Sequence, residues 1–225
     1  MMPAPLRVLL GLSLLAVTST ARGQTPGAST YLEDKHQSFG AFASPAALPN
    51  GATAAYAFAG VPEVGAGFRQ GFGLFEGQAR LVLDYFTLAA TLEGEARFLA
   101  YDRNQLRIAP SLAVGATFDA GARYIDELNF GHVGLKLTPG GTVSWKVAET
   151  ANLIGELRVP IDVPLTTSGL RVTPLMGGGA ELYLGDDISA GALADFGLDV
   201  VKEPQGVPQT RFAFALRVGL GYRFF

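Results

Sequence analysis

Residues 132–147 read HVGLKLTPGGTVSWKV, and alternate positions divide cleanly between two kinds of side chain. Val133, Leu135, Leu137, Pro139, Gly141, Val143, Trp145 and Val147 form an apolar set, while His132, Gly134, Lys136, Thr138, Gly140, Thr142, Ser144 and Lys146 form a polar or small one. Successive side chains of a β-strand point to opposite faces, so a period of two marks a strand with one apolar and one polar face; a helix needs a period near 3.6. The same split runs through residues 106–118, 152–165, 170–184, 188–200 and 211–224. In all six segments every charged residue falls on the polar face: Arg107; Lys136 and Lys146; Glu156, Arg158 and Asp162; Arg171 and Glu181; Asp195 and Asp199; Arg211, Arg217 and Arg223.

Upstream, residues 52–59, 64–75, 79–85 and 87–101 read as four more strands, with Arg69, Arg80, Asp84, Glu93, Glu95 and Arg97 on their polar faces. The phase slips at Asp84-Tyr85-Phe86, which predicts a tight turn there and a total of ten strands, with eight as the alternative. Pro110, Pro139 and Pro174 stand on apolar faces, where a missing N–H predicts local bulges. Gly177-Gly178-Gly179 lies within a strand and opens no helix, so it reads as room for packing or bending and not as a phosphate loop. The connections alternate: short turns at residues 102–104, 148–151 and 185–187, longer ones at 119–131, 166–169 and 201–210. Counted back from the C-terminus, the short turns share its side, which is the pattern of transmembrane barrels.

Composition narrows the classes. The chain has 225 residues, 48% hydrophobic and 16% charged, with 29 Gly and no Cys. Such hydrophobicity excludes intrinsic disorder, and the absence of Cys excludes disulfides, thiolate zinc sites and thiol catalysis. A net charge of −3 provides no basic field for nucleic acid. Residues 1–23 read as a secretory signal peptide: Arg7, then the apolar run 8–17, then small residues at Ser19-Thr20-Ala21 and Ala21-Arg22-Gly23. A run of about ten apolar residues falls short of the ~20 that a spanning helix needs. Residues 24–50, rich in Ala, Ser, Pro and Gly without a period, read as an irregular N-terminal segment that docks in part against the domain formed by residues 51–225.

Alternation alone fits either a membrane barrel or a soluble barrel turned inside out. Polar faces built from Gly, Thr, Ser and opposite charges suit a crowded lumen. On the apolar faces, Tyr56, Phe58, Phe118, Trp145, Phe196, Phe212, Phe214, Tyr222 and Phe224 lie near strand ends, where aromatic girdles are expected. A sheet that spans lipid must also close, because its edge N–H and C=O groups would otherwise go unpaired.

The chain ends GLGYRFF at residues 219–225, with Val218, Leu220, Tyr222 and Phe224 alternating. This ending resembles the C-terminal strand of Gram-negative outer-membrane β-barrel proteins, which alternates apolar residues and closes on an aromatic; Phe225 extends one residue past that pattern. The resemblance implies an all-β, closed, antiparallel, up-and-down transmembrane barrel, resident in the bacterial outer membrane after export and signal-peptide removal. It implies outer-membrane lipid and lipopolysaccharide as surroundings, and Leu220, Tyr222, Phe224 and Phe225 as the signal read by the barrel assembly machinery.

For function, the polar faces of all ten strands carry eleven Lys or Arg against eight Asp or Glu, close to balance, and the lumen network of Arg97, Arg107, Lys136, Lys146, Glu156, Arg158, Asp162, Arg171, Glu181, Asp195, Asp199, Arg211 and Arg217 points to a salt-bridged, mostly plugged interior. A barrel of about eight strands is filled by side chains, whereas open porins have 16–18. A non-enzymatic, porin-like protein with a structural or minor channel role follows. Glu156, Arg158 and Asp162 share one face of one strand and do not converge as a catalytic set. His36 and His132 are the only histidines. Outer-membrane lipid deacylases resemble this architecture and use a His–Ser pair near the outer rim, but no Ser neighbours His132; Ser144 lies far along the same strand. No catalytic residue, metal or cofactor is expected. Two alternatives stay open: a lipid-modifying enzyme with His132 as base, and a soluble periplasmic barrel for an apolar ligand. Oligomeric state is not encoded in these features.

Overall fold

The alternating segments form one antiparallel sheet that closes on itself. The computed structural model describes residues 40–123, 129–185, 187–202 and 206–224; the proposed signal peptide, His36 and Phe225 lie outside them. The strands are β1 (Thr53–Val61), β2 (Glu63–Phe72), β3 (Phe75–Asp84), β4 (Ala89–Phe98), β5 (Tyr101–Arg103), β6 (Leu106–Asp119) and β7 (His132–Ala148). They continue as β8 (Ala151–Arg158), β9 (Ile161–Pro164), β10 (Leu170–Val172), β11 (Leu175–Tyr183), β12 (Ile188–Lys202) and β13 (Gln209–Phe224). Three pairs are halves of single staves: β4 with β5, β8 with β9, and β10 with β11. The result is ten staves, and pairing of β1 with β13 from Thr53↔Phe224 to Val61↔Leu216 closes the barrel.

The prolines explain the split staves. Pro139 faces the β8/β9 junction, where Val159 N–H still donates to its carbonyl at 2.9 Å, but the return bond is missing for want of a proline N–H. Pro160 and Pro174 act likewise: Thr173 N–H donates to Pro160 O at 2.9 Å and Leu198 N–H to Pro174 O at 3.2 Å. No register shift accompanies Pro139 or Pro174, which corrects the expectation of bulges there. At Pro110 the partner stave takes up the irregularity. The β4–β6 register ends at Arg97↔Ser111, and β5 resumes one residue out of step at Tyr101↔Ile108.

Two strand ends also differ from the sequence reading. The β2–β3 hairpin turns at Gly73-Leu74, with Gly73 at φ 74°, so Glu76 and Gln78 belong to β3 and not to a turn. At the expected slip, residues 85–88 do form the turn between β3 and β4. The end of the barrel that holds the end of β13 has only short connections, β2–β3, β5–β6, β7–β8 and β11–β12; the β1–β2 turn at Pro62, the β3–β4 turn and the three longer connections β6–β7, β9–β10 and β12–β13 join strand ends at the other.

Among the described residues forty large hydrophobic side chains are exposed, including Leu81, Leu92, Leu112, Leu135, Leu157, Met176, Leu198 and Val218. A soluble monomer rarely exposes an apolar patch beyond a few hundred Å². Outward aromatics gather in two rows. Phe72, Phe75, Phe98, Trp145, Tyr222 and Phe224 are exposed near the short-turn end, and Tyr85, Phe118, Phe212 and Phe214 toward the other. Tyr222 and Phe212 are about ten residues apart on β13, or about 25 Å along the axis at a tilt of about 40°. That matches the height of a barrel's lipid-facing band. Between the rows no described outward-facing residue carries a charge.

Tyr56 and Phe58 are not part of either row. Both are buried in the lumen, and β1 turns Ala55, Ala57 and Ala59 outward instead. The reason is space. Tyr56 stacks on Phe58, and the glycines on adjacent strands admit them: a Cβ at Gly67 would stand 2.5 Å from the Tyr56 hydroxyl.

Candidate functional site in the barrel lumen

The lumen has three levels. At the short-turn end it contains chain. Residues 40–48 run inside the barrel, with Ala41, Ser44, Ala46 and Leu48 at most 1% exposed. The irregular N-terminal segment thus docks within the barrel, over the part of it that is described. Its backbone has no strand to pair with, so its N–H groups need other acceptors once they leave water. Glu181 takes three of them: Oε1 accepts from Phe42 N–H at 2.8 Å, and Oε2 from Ala43 at 2.9 Å and Ser44 at 2.6 Å. Ser189 donates its hydroxyl to Glu181 Oε1 at 2.5 Å and accepts from Ala41 N–H at 2.9 Å. Ser144 Oγ accepts from Ala46 N–H at 2.9 Å, and Glu76 Oε2 from Leu48 N–H at 2.6 Å.

Glu76 is itself held by Arg69 at 2.8 Å, with both side chains fully buried. Arg69 also donates to the carbonyls of Ser44 at 3.3 Å and Pro45 at 2.9 Å. Phe42 completes the contact. Its ring packs among Tyr56, Phe58, Ile154 and Leu193, and a Cβ at Gly219 would stand 2.5 Å from it. Gln78 donates to the Tyr56 hydroxyl at the edge of this cluster.

The middle level is a web of ion pairs. Arg217 binds Glu156 at 2.7 Å and Asp195 at 2.5 Å, and Arg158 shares Asp195 at 2.9 Å. Arg80 binds Glu93 at 2.5 Å, with Lys136 3.8 Å from the same carboxylate, and Arg97 binds Glu95 at 2.9 Å. The void left among Arg80, Glu95, Thr138, Glu156 and Arg158 is about 10 Å³, room for one water at most.

Above it, toward the long connections, lies a cavity of about 290 Å³. Arg171 and Arg211 converge on Asp199 at its wall, at 2.8 and 2.7 Å. Asp162 accepts from Thr117 Oγ1 at 3.3 Å, and Glu63 stands across from Asp84. His132 also lines this cavity but is only 6% exposed. Its Nδ1 is 3.1 Å from Phe130 O, and its ring packs on Phe130. Among the described residues its Nε2 has no hydrogen-bond partner, and Ser144 is engaged with Ala46 at the other end.

Each lumen residue named from the sequence takes an inward position. Arg158 on β8 reaches across β11 to Asp195 on β12, whereas Arg97 pairs with Glu95 two residues away on its own strand. Arg107 pairs with Asp102 at 3.2 Å near the short-turn rim, and Lys146 sits across from Asn152. Leu220, Tyr222 and Phe224 face outward on β13. Sequence reasoning missed Glu63, Glu76 and Gln78. The signal was present: Glu76, Gln78 and Arg80 share one face of the period-two pattern. Among the described residues no three His, Asp or Glu side chains converge as a metal site.

No family model and no curated protein sequence matches the chain. Solved structures do. The KdgM porin in complex with disordered oligogalacturonate aligns with a TM-score of 0.41 at 9% identity, over 77% of this chain and 99% of that one. KdgM porin alone aligns at 0.40 and 11%, over 77% and 99%. OmpT (in-vitro folded), an outer membrane protein of Vibrio cholerae, aligns at 0.34 and 11%, over 72% of this chain and 55% of that one.

Proposed function

We propose that this chain is an integral outer-membrane barrel, non-enzymatic, whose lumen is closed to solutes in its resting state. One observation carries the reading: residues 40–48 fill the short-turn half of the lumen, and their backbone N–H groups are satisfied by buried Glu181, Ser189, Ser144 and Glu76. The ion-pair web above adds a second barrier in series. A charge-free outward belt about 25 Å tall favours lipid over water as its solvent. That belt also favours the membrane over a soluble periplasmic barrel, whose exterior would carry the charges. Against a lipid-modifying enzyme stands the burial of His132, whose Nδ1 faces the Phe130 carbonyl and whose Nε2 has no hydrogen-bond partner among the described residues. The salt-bridged interior then acts as a rigid core, and the cavity of about 290 Å³ as a blind cup opening at the long-connection end. Insertion follows from the terminal strand, with Leu220, Tyr222, Phe224 and Phe225 as the contact read by the assembly machinery.

Cell fractionation tests the location. Recovery in the outer-membrane fraction, released by detergent and not by salt or carbonate, is the expected result; release without detergent would favour the soluble barrel. Incubation with lipopolysaccharide followed by mass spectrometry tests the activity. Unchanged lipid for the native chain and for His132→Ala alike is expected, and conversion by the native chain alone would overturn the non-enzymatic reading.

A further inference from the structure

The contacts that hold residues 40–48 are those of a recognition site more than those of an ordinary core. A core segment of a barrel is held by apolar packing and by strand pairing. Here a single carboxylate, Glu181, faces three consecutive backbone N–H groups, and no described cation lies within salt-bridge reach of it. A buried carboxylate without a counter-ion is costly unless hydrogen bonds replace its water. The segment and the carboxylate therefore need one another: with the segment in place the charge is satisfied by four donors, and with it withdrawn the charge requires water. Beside this clamp is a pocket for one aromatic ring, lined by Tyr56, Phe58, Ile154 and Leu193 and floored by Gly219. The residues flanking Phe42 are Ala41, Ala43 and Ser44, small enough for the backbone to reach the carboxylate. A second clamp, Glu76 with Arg69, reads the segment's other end through Leu48 N–H and the carbonyls of Ser44 and Pro45.

We propose that the short-turn half of the lumen is a peptide-binding site, occupied in cis by residues 40–48 and able to exchange that occupant for an extended peptide of the same kind. Its ligand class is a segment of small residues with one aromatic anchor, bound through backbone N–H groups to Glu181 and Glu76. The idea rests on the reading of this segment as what closes the lumen. The two fail separately, because closure is read from conductance and exchange from chemical access.

The chain has no cysteine, so Ala46→Cys in the full chain gives a single reporter thiol at a fully buried position. Its labelling by a membrane-impermeant maleimide is compared with that of Glu149→Cys, on the exposed β7–β8 turn. In the otherwise native chain Ala46→Cys labels far more slowly than Glu149→Cys. Adding Glu181→Gln or Phe42→Ala raises its rate by roughly ten- to a hundredfold, the range expected when bonds to a charged acceptor or a buried ring are lost. A fluorescent peptide of residues 40–50 then binds the full-chain Phe42→Ala variant saturably. It does not bind the native chain, whose site is filled, and the same peptide lacking the phenylalanine ring binds neither. Continued shielding of Ala46→Cys in both variants would overturn the proposal, because the segment would then be fixed core. Fast labelling without peptide binding, or equal binding to native and variant chains, would overturn it too.

Discussion

Placing Arg at Leu157 tests the assignment of faces. Leu157 is 53% exposed and lies opposite Gly141 on one side and Met176 on the other. On the same pair of strands Trp145 of the lower aromatic row sits across from Leu153. Leu157 is therefore about four residues farther in, or about 10 Å along the axis at a tilt of about 40°. That is close to the middle of a band about 25 Å tall, where an Arg costs roughly 2–4 kcal/mol. In water the same exposed substitution would cost about 0.5 kcal/mol or less. The two environments thus differ by several-fold in effect, more than experimental error. The assay is reversible unfolding in lipid vesicles, followed by the heat-modifiable migration of the folded barrel, for the native chain, Leu157→Arg and Leu157→Ala. A loss of 2–4 kcal/mol for Leu157→Arg, well beyond that for Leu157→Ala, is expected. Equal stability of Leu157→Arg and the native chain in vesicles would refute the reasoning and put the apolar face in water.

Four further outcomes follow from the lumen. Arg217→Met leaves Glu156 and Asp195 without their shared partner and should cost about 3–5 kcal/mol, as breaking one side of a buried pair does; vesicle unfolding measures it. Phe58→Ala should cost about 3–5 kcal/mol, since the ring is buried in the lumen, and a negligible loss would return it to the outward row. Ser144→Ala removes the acceptor of Ala46 N–H and should cost about 1–3 kcal/mol, with faster amide exchange at Ala46. Gly219→Val collides with the Phe42 ring and should cost about 1–3 kcal/mol, readable as loss of near-ultraviolet ellipticity from the Phe42–Tyr56–Phe58 cluster.

The period of two in residues 132–147 carried most of the fold, because charge and lipid exposure are mutually exclusive on a spanning strand. Each charged side chain therefore reports its strand's register. Where a strand has no charge the report fails. β1 contains only Ala, Tyr, Phe, Thr, Gly and Val, so hydrophobicity alone sent Tyr56 and Phe58 outward, while the space that admits them inward is left by Gly65 and Gly67 on β2. The β2–β3 turn was misplaced because Glu76-Gly77-Gln78 has turn-like composition, and Glu76, a principal anchor of the lumen segment, was lost with it. Ion-pair partners were not legible either, since Arg158 reaches Asp195 across β11, a matter of barrel closure and not of sequence distance. Residues 40–48 had no period to read. Their placement depends on acceptors at Glu76, Ser144, Glu181 and Ser189, contributed by four different strands.

Conductance of the full chain across a planar bilayer tests the closed lumen most directly, with heat-modifiable migration of the same preparation verifying that the barrel is folded and inserted. With residues 40–48 seated and the ion-pair web above them, the folded barrel should pass no steady current. A large, steady conductance from inserted native chain would contradict the account.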